Sequence, residues 1–210
     1  MLSQVIRWLK KNMCYNIYRE LSKKPYLMTV GDGTVILDST YVRQNVPVEK
    51  CRIFIGENSM IGCNFIFESD GGSISVGSKT YIGAGTHLIS RSSISIGDDV
   101  TIAWGVWIYD HDSHSLDWRN RADDIQSVLE DYRAGRNIIA SKDWSCVNSE
   151  PIKICDKAWI GMNVILLKGI TVGEGAVVGA GSVVAGDIPP WTVAVGNPAR
   201  VVKEIPHEGE

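Results

Sequence analysis

The stretch YDHDSHSLDW, residues 109–118, holds two of the chain's four histidines. His111 and His114 stand three positions apart, among Asp110, Asp112, Ser113, Ser115 and Asp117. A histidine changes charge near neutrality, so it can take a proton from a hydroxyl as a general base. A neighbouring carboxylate fixes which ring nitrogen carries the hydrogen. Asp110, Asp112 and Asp117 are available for that task. The same residues allow a second chemistry. His87, 24 positions before His111, supplies a third imidazole, and three histidines around an open position suit zinc catalysis. The plainest alternative is a solvated loop whose histidines do no chemistry.

The histidines stand where a regular pattern stops. From Ile154, aliphatic residues recur every six positions: Ile160, Leu166, Val172, Val178 and Val184. A small residue often follows directly, as at Gly161, Gly173, Gly179 and Ala185. The same phase links Ile55 to Ile61, Val76 to Ile82, and Ile96 to Ile102 and Ile108. A period of six matches neither a helix nor simple strand alternation. It matches a coil of three short strands, each pointing one side chain inward, with coils stacked into a prism. The glycines of GEGAVVGAGSVVAG keep this period and are read as corners, since no phosphate-loop motif is present.

Spacing also locates the insertions. Intervals of 21 residues (Ile55 to Val76) and 20 (Val76 to Ile96) exceed three hexapeptides, so short loops such as ESDGGS bulge from corners. Val35 lies 20 before Ile55, which starts the prism near VILDSTYV. Ile96 and Ile154 are 58 apart. One coil uses about 20 of these, which leaves a long excursion over 113–150, and such loops are often functional. Within it, RADDIQSVLEDYRAG predicts a short helix with Ile125, Val128, Leu129 and Tyr132 on one face, ended by Gly135. It is expected to dock on the prism or wall off a cleft.

Residues 1–24 predict an amphipathic helix, with Leu2, Val5, Ile6, Leu9, Met13, Ile17 and Leu21 on one face. Six basic residues against Glu20 give this segment a charge of +5. Two uses are open: packing on the coil end or a neighbouring subunit, or contact with an anionic membrane surface. The expected organisation is an N-terminal helix over 1–27, a β-helix over 28–204, and a tail over 205–210.

A length of 210 residues, 44% of them hydrophobic, suits one domain. A net charge of −3 gives no sign of a nucleic-acid partner. No apolar run reaches the roughly 20 residues of a membrane span. Five cysteines without a CxxC pattern are read as reduced thiols of a cytoplasmic protein.

From Ile154 the chain reads ICDKAWIGMNVILLKGITVGEGAVVGAGSVVAGDIPPWTVAVGNPARVVKEI. This resembles the left-handed β-helix (hexapeptide-repeat) acyltransferases, especially the galactoside and maltose O-acetyltransferase group. The shared elements are WIG, GAGSVV, DIPP and GNPARV, in order. The resemblance covers about 55–118 and 152–204. It implies a left-handed coil, acetyl-CoA as donor, and a homotrimer with active sites between neighbouring prisms.

The resemblance also implies roles. HSLDWRNR matches the family's HPLDPxxR stretch, with His114, Leu116, Asp117 and Arg121 in corresponding places. His114 is thus the first candidate base, with Asp117 beside it. His111 is the competitor, because some related polysaccharide acetyltransferases carry a DHxH stretch. Coenzyme A would lie along the coils, near the backbone of Gly161, Ala180 and Ala185, with Arg200 and Lys203 facing its phosphates. Trp159 of WIG would border that groove and the acceptor pocket, or simply pack between subunits. The expected reaction is direct acetyl transfer to a sugar hydroxyl, without an acetyl-enzyme and without a metal.

This sequence also departs from the pattern. Gly83 stands where the family often has an acceptor-contacting asparagine, and the 119–149 insert has no counterpart in the simple sugar enzymes. The chain is therefore closer to acetyltransferases that decorate polysaccharide or lipid-linked sugars, including the colanic-acid type. Four alternatives stay open: an amino-sugar N-acetyltransferase, an antibiotic acetyltransferase, a zinc hydratase of the γ-carbonic-anhydrase kind, and a non-catalytic binding module.

Overall fold

The six-residue spacing becomes three parallel sheets in a computed structural model that describes residues 15–206. The first face stacks Met28–Val30, Ile53–Ile55, Ile74–Val76, Ile94–Ile96, Ile152–Ile154 and Thr171–Val172. The second begins with Val35–Ile36 and runs through Trp159–Ile160 and Val177–Val178 to Thr192–Gly196. The third begins with Tyr41–Gln44 and runs through Asn64–Phe67, His87–Ser90 and Trp107–Tyr109 to Val183–Val184. The chain visits the faces in turn, which makes a parallel β-helix of about seven turns.

Inward side chains form continuous ladders. On the second face Ile36, Ile61, Ile82, Ile102, Ile160, Val178 and Ala194 are in register. On the third, Val42, Phe65, Leu88, Ile108, Leu166 and Val184 align. All of these are buried, and burying each aliphatic side chain is worth about 1.5–3 kcal/mol. The start differs from the spacing argument. The prism begins at Met28, and Val30, not Val35, pairs with Ile55. Val35 points outward beside Met60 because this first coil is longer, with 25 residues from Ile36 to Ile61.

Buried hydroxyls close the corners. Ser59 and Thr80, four positions after Ile55 and Val76, donate to the carbonyls of Gly77 and Gly97 on the next coil at 3.0 and 2.9 Å. These bonds satisfy carbonyls that would otherwise be stranded. Glycines serve the corners in two ways. A Cβ on Gly173 would lie 2.4 Å from the backbone nitrogen of Pro190, so the next coil leaves no room for a side chain. Gly181 instead holds a left-handed backbone, with φ of 72°.

At the N-terminal end, helix α1 (Ile17–Lys23) packs on the first coil. Ile17 is fully buried, and the Tyr18 hydroxyl donates to the Ile36 carbonyl at 2.5 Å. Asn16 caps α1 by accepting from the Arg19 backbone N–H. Residues 1–14, most of the expected amphipathic helix, lie outside the described residues. The other end is closed by a hairpin. Ala199–Glu204 pairs antiparallel with Thr192–Gly196, so strand bonding continues to Glu204.

The excursion leaves after Trp107–Tyr109 and returns at Ile152. Its two stems are zipped together: Asp112 N–H donates to the Asn148 carbonyl, and Glu150 N–H to that of Asp110. Helix α2 (Asp124–Arg133) forms where the sequence predicts one. Its apolar face stays largely open, for Ile125 and Tyr132 are each 70% exposed. The helix docks instead through Asp131, which accepts from Ser141 N–H and hydroxyl and from Arg136 at 2.7–2.8 Å.

Candidate functional site

The third face ends in the site. Asp110 follows the strand Trp107–Tyr109 and is fully buried. Its carboxylate accepts from the backbone N–H groups of Arg91 and Ser92 and from the Ser90 hydroxyl, at 2.7–2.9 Å. This fixed carboxylate faces His111 Nδ1 at 3.0 Å. On the other side of the buried ring, Nε2 lies 3.1 Å from Glu68 Oε2. Burial opposes a charge on His111, but the bonds to Asp110 and Glu68 outweigh it and raise its pKa. Burial likewise works against a charged Glu68, yet His111 and then Arg43 hold its carboxyl below the usual range. Tyr109, half-buried beside Glu68, has its phenol pushed upward by burial and by that carboxylate.

Glu68 belongs to the ESDGGS bulge, and Arg52 holds that bulge in place. The Arg52 side chain is buried, 3.9 Å over the Phe67 ring. It donates to the Gly72 carbonyl at 3.0 Å and to the Ser69 carbonyl at 3.2 and 3.3 Å. Burial lowers its pKa to about 10, which leaves it charged at neutral pH.

His114 has a different setting. Ser113 takes a left-handed backbone, φ 62°, and His114 N–H donates to the Asp112 carbonyl at 2.7 Å. This tight three-residue turn carries the chain away from His111. The His114 side chain is 55% exposed, with Nδ1 hydrogen-bonded to Asp124 of α2. Lys142 Nζ also lies 3.3 Å from Nδ1; in the neutral ring whose Nδ1–H donates to Asp124, Nε2 holds the lone pair. Among the described residues, Nε2 has no hydrogen-bond partner. Burial opposes the charge on Asp124, but His114 and Lys142 hold its carboxyl low. Lys142 Nζ lies 3.4 Å from the same carboxylate.

A cavity of about 390 Å³ opens here, lined by Glu68, His114, Asp124, Val128, Lys142 and Trp144 among others. Helix α2 forms one wall of it. Arg91 secures the wall that carries Trp144 by donating to the Trp144 carbonyl at 2.8 Å and the Ser149 hydroxyl at 3.0 Å.

The structure places His114 on this cavity and His111 behind Glu68, which lines it, and places other candidates elsewhere. Asp117 faces Arg119, at 2.7 Å, and contacts neither histidine. Asp110 and Asp124 face the two imidazoles instead. His87 stacks on Trp107 and pairs with Asn64 on the outer third face. Among the described residues, no three His, Cys, Asp or Glu groups converge as metal ligands. Gly161 and Ala180 abut at the corner between the second and third faces, with Trp159 exposed nearby. Ala185 follows the last third-face strand, and Arg200 and Lys203 are exposed on the closing hairpin. The width of the third face thus separates Gly161 and Ala180 from the histidines of the same chain. Residue type and spacing alone do not mark Glu68 or Lys142. Coil counting would have found Glu68, which sits two third-face coils before His111.

Two family models match. One, bacterial transferase hexapeptide (six repeats), covers 151–186; the other, hexapeptide repeat of succinyl-transferase, covers 52–90 and 73–110. A provisionally named lipopolysaccharide biosynthesis O-acetyl transferase of Escherichia coli is 34% identical over 157 residues, 74% of each chain. A provisionally named acetyltransferase of Mycobacterium tuberculosis is 30% identical over 94% of this chain. One of Schizosaccharomyces pombe is 35% identical over 66%. The chain spans 61% and 56% of the lengths of these last two. Among solved structures, the N-acyltransferase AntD of Bacillus cereus, with dTDP and coenzyme A bound, superposes with a TM-score of 0.66. It is 20% identical, over 93% of this chain and 92% of its own. A Vibrio cholerae hexapeptide-repeat acetyltransferase complexed with acetyl-coenzyme A gives 0.55 at 24% identity, over 98% and 87%. Repeat, register and these likenesses agree: the chain belongs to the hexapeptide-repeat acetyltransferase family.

Proposed function

We propose that the chain transfers an acetyl group from acetyl-CoA directly to a sugar hydroxyl, with His114 as general base. The observation that carries this is the Asp124–His114 pair opening on the 390 Å³ cavity. Asp124 fixes the tautomer that leaves Nε2 free to accept. His111 is a poorer base, because both its nitrogens face carboxylates that favour the protonated ring. In the reaction, His114 Nε2 takes the hydroxyl proton as the oxygen bonds to the thioester carbonyl. The C–S bond then breaks, and the imidazolium returns the proton to the departing thiolate. The transient oxyanion takes a backbone N–H donor.

Coenzyme A is assigned to Gly161, Ala180 and Ala185, with Trp159 bordering it and Arg200 and Lys203 on its phosphates. Gly161 and Ala180 lie one face away from His114 within a chain, which favours a homotrimer whose neighbouring prism supplies the donor groove. Sedimentation at working concentration tests the trimer. The reaction draws on cytoplasmic acetyl-CoA. The basic segment 1–24 is assigned to membrane contact or to packing; α1 packs on the coil end. Unchanged vesicle binding after its removal would rule out the membrane role.

The central test is thiol release from acetyl-CoA over a panel of sugars, amino sugars and lipid-linked oligosaccharides. Acceptor-dependent release lost in His114→Ala supports the assignment. Loss only in His111→Ala moves the base to His111. No release with any acceptor ends the reading. A second reading, acetyl transfer to an amine, is favoured by Asp123, Asp124 and Asp143 lining the cavity, because carboxylates attract an ammonium. AntD, which shares the fold, is an N-acyltransferase solved with a dTDP-amino sugar. Release with amino sugars alone would select it.

A further inference from the structure

The cavity beside His114 meets a second one, of about 340 Å³, at Glu68, Ile138 and Ile139. The second is otherwise lined by Arg43, Asn45, Arg136 and Asn137. Arg43 and Asn45 belong to the first coil, and Arg136 and Asn137 to the excursion. The two parts are joined where Asn137 Nδ2 donates to Asn45 Oδ1 at 3.2 Å, across 92 positions of sequence. Among the described residues, Glu68 is the one acid lining this cavity. His111 offsets its charge at 3.1 Å, while Arg43 stands farther off at 3.8 Å. Arg136 pairs with Asp131, whose carboxylate is buried behind it and already holds Ser141. Both arginine side chains stay open, 46% and 52% exposed. With Glu68 turned to His111 and Asp131 buried behind Arg136, the most exposed charged groups of the cavity are the two guanidiniums.

We infer that this cavity binds a phosphoryl group of the acceptor, gripped by Arg43 and Arg136, while the sugar ring occupies the cavity beside His114. The identity of the ring's cavity rests on the acetyl-transfer reading; the anion site does not. The Arg43 guanidinium, the N–H groups of Arg136 that Asp131 does not take, and two carboxamides present more N–H donors than the two oxygens of a carboxylate can use. A phosphoryl group offers three oxygens, and a guanidinium meets two of them at once. A neutral sugar would leave the loosely paired Arg43 without a gain. The same chemistry is carried by nucleoside-diphosphate sugars and by lipid-linked sugar phosphates.

The test is calorimetric binding to the full chain, without acetyl-CoA, of a hexose, its 1-phosphate, a nucleoside-diphosphate hexose and a short-chain polyprenyl-diphosphate hexose. The 1-phosphate is expected to bind at least about tenfold tighter than the hexose, with the gain shrinking as salt rises. Arg43→Gln, which breaks only a loose ion pair, is expected to remove most of that gain; Arg136→Gln adds to the loss, and its melting curve checks the Asp131 contact. The tighter of the two diphosphates names the source. Equal binding of hexose and hexose phosphate overturns the inference, as does a phosphate preference that survives both substitutions. Retained phosphate binding in a protein that releases no thiol from acetyl-CoA would keep the site and refute the acetyl-transfer reading.

Discussion

Glu68 Oε2 lies 3.1 Å from His111 Nε2, although 43 residues separate the two in sequence. Asp110 completes the arrangement at 3.0 Å from Nδ1, so a buried imidazole is held between two carboxylates. Such a ring is stabilised in its charged form. It can anchor the stems of the excursion, whose hydrogen bonds flank it, while His114 remains available for proton transfer.

That pairing makes stability depend on pH at both ends. His111 has its folded pKa raised above 6.5, so its contribution is complete below that value and lost as pH rises through the folded pKa. Glu68 has its folded pKa lowered below 4.5, so its contribution is complete above that value and lost as pH falls through the folded pKa. The melting temperature of wild type minus that of Glu68→Gln should therefore peak near about pH 5–6 and narrow on either side. A difference that is flat from pH 4 to 9, scanned by calorimetry, would contradict the pairing.

Asp124 is expected to act through His114. Asp124→Asn keeps the shape but lets the amide donate to Nδ1, which turns the lone pair away from the cavity. The kcat should fall about 10²–10⁴-fold with KM little changed. Adding His114→Ala to Asp124→Asn should cost little more than His114→Ala alone. Additive losses in steady-state assays would mean the two residues act separately.

Arg52 is expected to matter for stability and for the site together. Arg52→Met leaves the Ser69 and Gly72 carbonyls without their donor. Each buried carbonyl so stranded costs about 1–3 kcal/mol. Denaturant unfolding should show that loss, and the released bulge should carry Glu68 away from His111. Arg52→Lys should recover part of it by restoring one donor. An unfolding midpoint unchanged in Arg52→Met would show that water replaces the guanidinium.

Two corner glycines should behave differently. Gly173→Ala would press a methyl to 2.4 Å from Pro190 nitrogen, an overpacking worth about 1–3 kcal/mol. At Gly186 an added Cβ meets nothing within 4 Å, so Gly186→Ala should leave the melting temperature nearly unchanged. Equal melting temperatures for the two variants would refute the close stacking of the last coils.

The six-residue spacing alone dictates the coil. Side chains every six residues must share one inward direction, and stacking them removes them from water; that argument is local and needs no knowledge of register. It places the ladder residues Ile55, Ile61, Val76, Ile82, Ile96, Ile102 and Ile108 and those from Ile154 to Val184, but not Phe65 and Leu88, together with the excursion between Ile96 and Ile154 and the helix α2. The first coil escaped it, because extra residues between Ile36 and Ile61 shift the count and turn Val35 outward. The site was legible only in part. His111 and His114 drew attention by type and position, but their partners depend on what stacking brings alongside. Glu68 reaches His111 because Phe67 pairs with Ser90, and Ile89 with Tyr109, across two coils. Asp124 rather than the nearer Asp117 meets His114, because Asp117 is drawn to Arg119 while α2 folds back over the cavity. Sequence distance measures none of this: the faces of a β-helix bring together residues one coil apart, and an excursion can return its side chains to any of them.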